Sequence, residues 1–232
     1  FLKRVTDTEK WTELISELLN LSEFNTRKLF KQRVAHYRNR NLFNLLKGDK
    51  ITPYSWEEIN SVVDSHIKSF LSLIGKREGE PVVAFLTENS LNMALSDIAC
   101  LNAGIVNVMI PANSVPQHIS YILNQTKCKI IIVSNEKQLA KLKSVKSELK
   151  YLETGVLLDG TSAEDWIISF SDFKEMNKNE IDADVNFDLP IGSMATIMYT
   201  SGTTGEPKGI IFSQKNIVFK RFCRAIALPG IN

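Results

Sequence analysis

Short, almost continuously apolar runs at 81–86, 105–110, 129–133, 156–158 and 194–199 constrain this chain more than any other feature. Runs of that length and composition read as strands buried on both faces. Helical patterns lie between the first four. Residues 91–103 end at Gly104, a plausible left-handed stop. Residues 116–124 carry Pro116 early, where its missing N–H costs nothing. Residues 136–149 place Leu139, Leu142, Val145 and Leu149 on one side. Strands alternating with helices predict an α/β fold, a parallel sheet covered by helices. Such sheets take ligands at the carboxyl ends of their strands. The pattern therefore says where to look and leaves the chemistry open.

The first part of the chain has another rhythm. Residues 7–19 read as a helix through Trp11, Leu14, Ile15 and Leu18, and 29–37 as a second. Ser55 and Glu58 have capping-box spacing. The helix they open carries Ile59, Val62, Val63, Ile67, Phe70 and Leu71 on one face and stops near Gly75. The expected organisation is a helical, basic N-terminal segment, 1–50, followed by an α/β part, 51–232. Between Thr26 and Lys50 eight basic residues face one acid, Asp49. That stretch reads as a solvated helix face; the alternative is a stripe meeting acidic lipid or phosphate. From 159 to 190 nine acids face Lys174 and Lys178. This segment is expected to be an irregular surface connection with a short helix near 166–173.

Several classes fall away. No run approaches the roughly 18 apolar residues of a membrane span, and the first residues lack a signal-peptide pattern. Cys100, Cys128 and Cys223 are odd in number and far apart. They suggest neither a disulfide framework nor a metal spacing, which favours a reducing, cytoplasmic location. A net charge of +2 gives no case for nucleic acid. His36, His66 and His118 are isolated and read as helix-surface or satisfied core residues. Trp11, Trp56 and Trp166 read as core, and Cys100 as a small buried hydrophobe.

The chemistry concentrates in Tyr199-Thr200-Ser201-Gly202-Thr203-Thr204-Gly205-Glu206-Pro207-Lys208-Gly209. The stretch follows a buried strand and precedes the apolar run 210–212. Its glycines let the backbone turn tightly and approach a ligand. Thr200, Ser201, Thr203 and Thr204 supply hydroxyl donors, successive N–H groups can form an anion nest, and Lys208 adds positive charge. These features suit the oxygens of a polyphosphate. A Walker A loop is disfavoured: counted from Gly202, the second glycine position is Pro207, and Gly209 stands where the magnesium-binding hydroxyl belongs. By composition alone, an ordinary Gly/Ser/Thr-rich turn is the alternative.

The order of those eleven residues resembles the signature phosphate loop of the adenylate-forming superfamily. That superfamily includes acyl-CoA synthetases, luciferases and the adenylation domains of peptide synthetases. The likeness extends upstream to Tyr54-Ser55-Trp56-Glu57-Glu58, to Thr87-Glu88-Asn89-Ser90, to the helix end at Asn102-Ala103-Gly104, and to Tyr121-Ile122-Leu123. Its flavour is nearest to long-chain fatty acyl-CoA synthetases. Where the family often reads Thr-His-x-Asn after the loop, this chain reads Ser213-Gln214-Lys215-Asn216. The missing His bears on subfamily rather than activity.

The resemblance implies a reaction. A carboxylate is activated with ATP to an acyl-adenylate and pyrophosphate, and coenzyme A then takes the acyl group. Ser201, Gly202, Thr203, Thr204 and Gly205 would hold the β- and γ-phosphates. Glu206, Pro207 and Gly209 would complete the nucleotide-binding loop, and Thr200 would sit near Mg²⁺. Lys208 and Thr204 would act on the developing charge, Lys208 as an electrostatic aid rather than a base. The adenine, ribose and hinge segments and the C-terminal domain with its lysine have no counterpart here. The chain is therefore expected to be an N-terminal piece, inactive alone and prone to self-association through apolar surface. The expected partners are ATP, a fatty acid and coenzyme A, with peripheral membrane contact allowed. An aromatic, short-chain or amino acid substrate, or a non-catalytic polyphosphate-binding module, stays open.

Overall fold

The computed structural model describes residues 8–75, 80–178, 189–200 and 205–227. It opens with α1 (Thr8–Ser22) and α2 (Thr26–Tyr37). A hairpin of β1 (Asn41–Lys47) and β2 (Lys50–Ser55) follows, then α3 (Trp56–Ile74). The Ser55–Glu58 capping box forms, and Gly75 closes α3 at φ +62°. Asn25 caps α2 by accepting from the Lys28 N–H. The hairpin is a departure from an all-helical start. Its sequence lacks clean alternation, and only the Gly48-Asp49 pair, with Gly48 at φ +58°, signals the turn.

The alternating pattern then appears as expected: β3 (Val82–Leu86), α4 (Leu91–Ala103), β4 (Val106–Ile110), α5 (Pro116–Gln125), β5 (Ile130–Val133), α6 (Glu136–Ser144) and β6 (Thr154–Leu157). The acidic segment is more ordered than its composition suggested. It supplies β7 (Ile167–Ser169), which pairs with β6, and α7 (Phe170–Glu175), whose Phe173 is fully buried. Part of the presumed surface connection is thus a sheet edge and part is core; residues 179–188 lie outside the described set. The chain continues through β8 (Met194–Thr200), β9 (Lys208–Ser213) and α8 (Gln214–Ala227).

Strands β3 to β9 form one sheet in the order β7-β6-β5-β3-β4-β8-β9, parallel throughout except for the antiparallel β8–β9 pair. From β3 the chain steps out to β4, then crosses back to β5 on the other side of β3. Helix α4 packs on one face with Val83, Phe85 and Ile132. Helices α5 and α6 pack on the other with Ala84, Leu86, Ile131 and Val133. Alternate residues of each strand thus enter opposite cores, which is why these strands are apolar throughout.

Gln214, which stands where the resemblance often has a His, is fully buried. Its Oε1 accepts from the N–H of Thr26 at 3.2 Å and from the Thr26 hydroxyl at 2.5 Å. It ties α8 to α2, a structural task. The basic stretch is partly engaged as well. Lys31 pairs with Asp64 at 2.8 Å, and Arg38 pairs with Glu57.

Candidate phosphate-binding site

The turn between β8 and β9 sits at the carboxyl end of β8, on the side of the sheet where ligands are expected. Thr200 pairs in register with Lys208, and Tyr199 with Gly209. The signature therefore begins and ends on two bonded strands, which fixes the stems of its turn. A Walker loop runs from strand to helix; this one returns as a strand, so a helix N-terminus does not supply its donors.

Six of the ten expected site residues are described. Thr200 and Lys208 are exposed at the stems, facing each other across the ladder. Gly205 adopts φ +93°, a backbone state L side chains rarely take, and a Cβ there would meet nothing within 4 Å. The backbone at Gly205 is thus open for close approach. Glu206 is exposed and Pro207 is buried. Gly209 answers to a different constraint: a Cβ there would stand 3.0 Å from Tyr199 Cζ. Ser201, Gly202, Thr203 and Thr204 lie outside the described residues.

Beside the turn lies a cleft of about 260 Å³. Tyr199, Thr200 and Pro207 form one wall. Asn113, Ser114 and His118, from the β4–α5 connection and the start of α5, form the other. Lys141 on α6 holds that second wall, donating to the Ala112 carbonyl at 2.7 Å and the Ser114 carbonyl at 3.3 Å. Sequence reasoning read His118 as a helix-surface or satisfied core residue; it is half-buried on α5 and lines this cleft, a placement that nothing local in the sequence marks. On the other face of β8 a second hollow, of about 520 Å³, is lined by Phe85, Met93, Met109 and Met198.

The carboxyl ends of β3 and β5 are occupied by the chain itself. Glu88 accepts from the hydroxyl of Ser134, from Asn135 Nδ2 at 2.9 Å and from Gln138 Nε2 at 2.6 Å. The Ser134 and Gln138 hydrogen bonds hold its carboxyl below the usual carboxylate range. Asp97 on α4 moves the other way, pushed up to about 6 by burial, although Asn107 of β4 donates to it. His66 is buried with its Nδ1 unpartnered, edge-on to Phe170 and Phe173. It is a core histidine as expected, but not a satisfied one. Burial first, and the Lys174 charge second, lower its pKa to about 4. Among the described residues, no group of three or more His, Cys, Asp or Glu could hold a metal ion, and no helix is long and apolar enough to cross a membrane.

Residues 30–228 match the model of the AMP-binding enzyme family. The chain belongs to that family. Long-chain-fatty-acid–CoA ligase ACSBG2 of Xenopus laevis is 25% identical over 211 residues, covering 88% of this chain and 28% of its own length. Luciferin 4-monooxygenase of Photuris pensylvanica is 32% identical over 141 residues, 59% of this chain and 26% of its own. Among solved structures, a putative long-chain-fatty-acid CoA ligase from Rhodopseudomonas palustris superposes with a TM-score of 0.72 at 15% identity. That match covers 89% of this chain and 48% of the other, and it supports the fold. The chain thus spans less than a third of the length of the curated relatives it matches.

The described part of the β8–β9 connection has an open glycine at positive φ, an exposed hydroxyl at one stem and an exposed lysine at the other.

Proposed function

We propose that this chain supplies the phosphate-gripping part of an ATP-dependent fatty acid–CoA ligase. The observation that carries the reading is the eleven-residue signature, whose two ends lie on paired strands at the carboxyl edge of the sheet. Several relatives are long-chain fatty acid–CoA ligases or long-chain acyl-CoA synthetases, which favours a fatty acid as the carboxylate.

In this reading, attack of the carboxylate on the α-phosphate of ATP releases pyrophosphate, and charge builds on the departing β- and γ-oxygens. Ser201 to Gly205 offer backbone N–H and hydroxyl donors to that charge, the kind of electrostatic stabilisation that lowers a barrier. Lys208, exposed opposite Thr200, adds electrostatic attraction and holds no proton in transfer. Mg²⁺, when bound near Thr200, supplies charge neutralisation at the phosphates. Coenzyme A is the acceptor of the acyl group. The adenine- and ribose-binding segments and the catalytic lysine of the resemblance lie outside these 232 residues, so the chain alone is expected to be inactive. The exposed Met198, Ile210 and Ile211 on β8 and β9 support self-association of the isolated chain.

The test is carboxylate-dependent ATP–pyrophosphate exchange by the full-length protein that carries this sequence, with acetate through stearate, aromatic acids and amino acids. Exchange greatest with long chains supports the reading. Exchange only with short, aromatic or amino acids keeps the family and replaces the substrate. No exchange with any carboxylate leaves a polyphosphate-binding module.

A further inference from the structure

The first residue of the signature is anchored from outside it. Tyr199 turns its ring into the core shared with α5 and is 8% exposed. A buried tyrosine ring leaves its hydroxyl to find a partner. Here the hydroxyl donates to Gln125 Oε1 at 2.6 Å. Gln125 is the last residue of α5, and its Nε2 donates to the Tyr121 hydroxyl at 3.1 Å. Tyr121 and Gln125 are four apart on one helix, so α5 itself sets their mutual placement.

The same ring lies against the other stem. Gly209 is the cross-strand partner of Tyr199. A Cβ on Gly209 would stand 3.0 Å from Tyr199 Cζ, 3.2 Å from its hydroxyl oxygen and 3.1 Å from Ile197 Cγ2. The two Tyr199 atoms are at the far end of the ring, the end that Gln125 holds. The ring cannot swing away from Gly209 without straining that hydrogen bond. Helix α5, the Tyr199 ring and the Gly209 backbone therefore form one contiguous strut.

We propose that Gln125 is a positioning residue for the phosphate loop: through the Tyr199 ring it fixes the backbone where the loop leaves β8 and re-enters β9. The inference rests on reading the loop as a phosphate grip. Donors aimed at developing charge work only when their supporting residues lock them in place. The loop's two ends join a strand ladder, but the ladder alone does not decide how far the Gly209 backbone sits from the sheet face. The ring does, as a spacer, and Gln125 sets the ring. Gln125 is itself exposed, so its replacement removes little from the core.

The strut can be tested on this chain with its backbone amides resolved by nuclear magnetic resonance. The Lys208 and Gly209 amides are recorded first without ligand and then with magnesium pyrophosphate. Gln125→Leu is expected to shift both amides and to weaken pyrophosphate binding about fivefold, the effect of one lost hydrogen bond, with the melting temperature held. Gln125→Glu keeps an acceptor for the Tyr199 hydroxyl and is expected to return the ligand-free Gly209 amide to its wild-type position. Gly209→Ala should produce a similar shift, and a smaller one when Gln125→Leu has already freed the ring. Unmoved amides in Gln125→Leu, or simple additivity of the two changes, overturns the proposal. If the wild-type chain shows no response to pyrophosphate, the phosphate-grip reading fails on its own, and the ligand-free shifts still decide whether Gln125 sets the ring.

Discussion

Two places at the carboxyl edge of the sheet are built in opposite ways. The first is where β3 meets β5, the point at which the chain reverses its direction of travel across the sheet. Open sheets of this kind hold ligands in that crevice. Here Glu88 fills it, and Ser134, Asn135 and Gln138 all donate to the one carboxylate. The second is the β8–β9 turn, where Gly205 stands at positive φ with open space around it and Thr200 and Lys208 are exposed. At the first place three donors converge on one carboxylate, although Gln138 Oε1 stays buried without a partner; at the second, Thr200 and Lys208 are exposed. Topology nominates the first. The proposed phosphate grip falls at the second, because an anion needs donors that the protein has not already paired.

The comparison yields predictions that separate the two places. The largest effect belongs to the loop. Thr204→Ala in the full-length protein is expected to slow pyrophosphate exchange at least tenfold, within the roughly 2–4 kcal/mol that one such donor contributes to a transition state. Its unfolding free energy should stay within about 0.5 kcal/mol of wild type. An unchanged exchange rate would remove Thr204 from the grip. Glu88→Ala should behave inversely. It leaves three donors without their acceptor, two of them on the buried residues Ser134 and Gln138, and is expected to cost about 3 kcal/mol in urea unfolding. Pyrophosphate affinity should not change. If Glu88→Ala weakens pyrophosphate binding and leaves stability alone, the assignment of the two places is reversed.

Much of this arrangement was legible in the sequence, and the gaps have physical causes. Helix α4 ends where Gly104 predicted, at φ +69°, because a left-handed stop is a local property. The capping box of α3 is local as well. The stretch 41–55 was not readable: Leu45, Leu46 and Ile51 sit exposed on the hairpin, so burial imposes no alternation there. Strand β7 was missed because three residues carry almost no period, and its partner β6 precedes it by an acidic stretch. At the site, the loop announced itself by residue order. Gln125 and His118 did not, since each meets the loop's surroundings only through tertiary neighbours distant in sequence. The Glu88 cluster joins residues 46 to 50 positions apart, and nothing local marks them as partners.

Between the two places runs β4, and behind it a third polar group gives the smallest and most specific prediction. Asn107 of β4 donates to Asp97 and pairs in register with Thr196 of β8. Burial raises Asp97 to about 6 from an ordinary value near 3.8. Between those two values the folded chain holds a proton that the unfolded chain has released. Stability from this group is therefore complete below about pH 3.8, falls as pH rises, and reaches its minimum above about pH 6. Asp97→Asn keeps the acceptor for Asn107 and removes the buried charge. It is expected to stabilise the chain by about 1–2 kcal/mol at pH 7 and by nothing at pH 3.5. His66, lowered to about 4, works in the opposite sense: its contribution falls as pH drops from 6.5 toward 4. Subtracting the variant's urea-unfolding profile from that of wild type cancels His66 and leaves Asp97. A gain that persists unchanged at pH 3.5 would mean that Asp97 is not the titrating group. Because Asp97 lies behind the strand and not in the loop, the same substitution should leave pyrophosphate affinity where it was. A change there would mean that the loop depends on β4 and its polar support as well as on α5, and that the two edge places are less independent than their hydrogen bonds suggest.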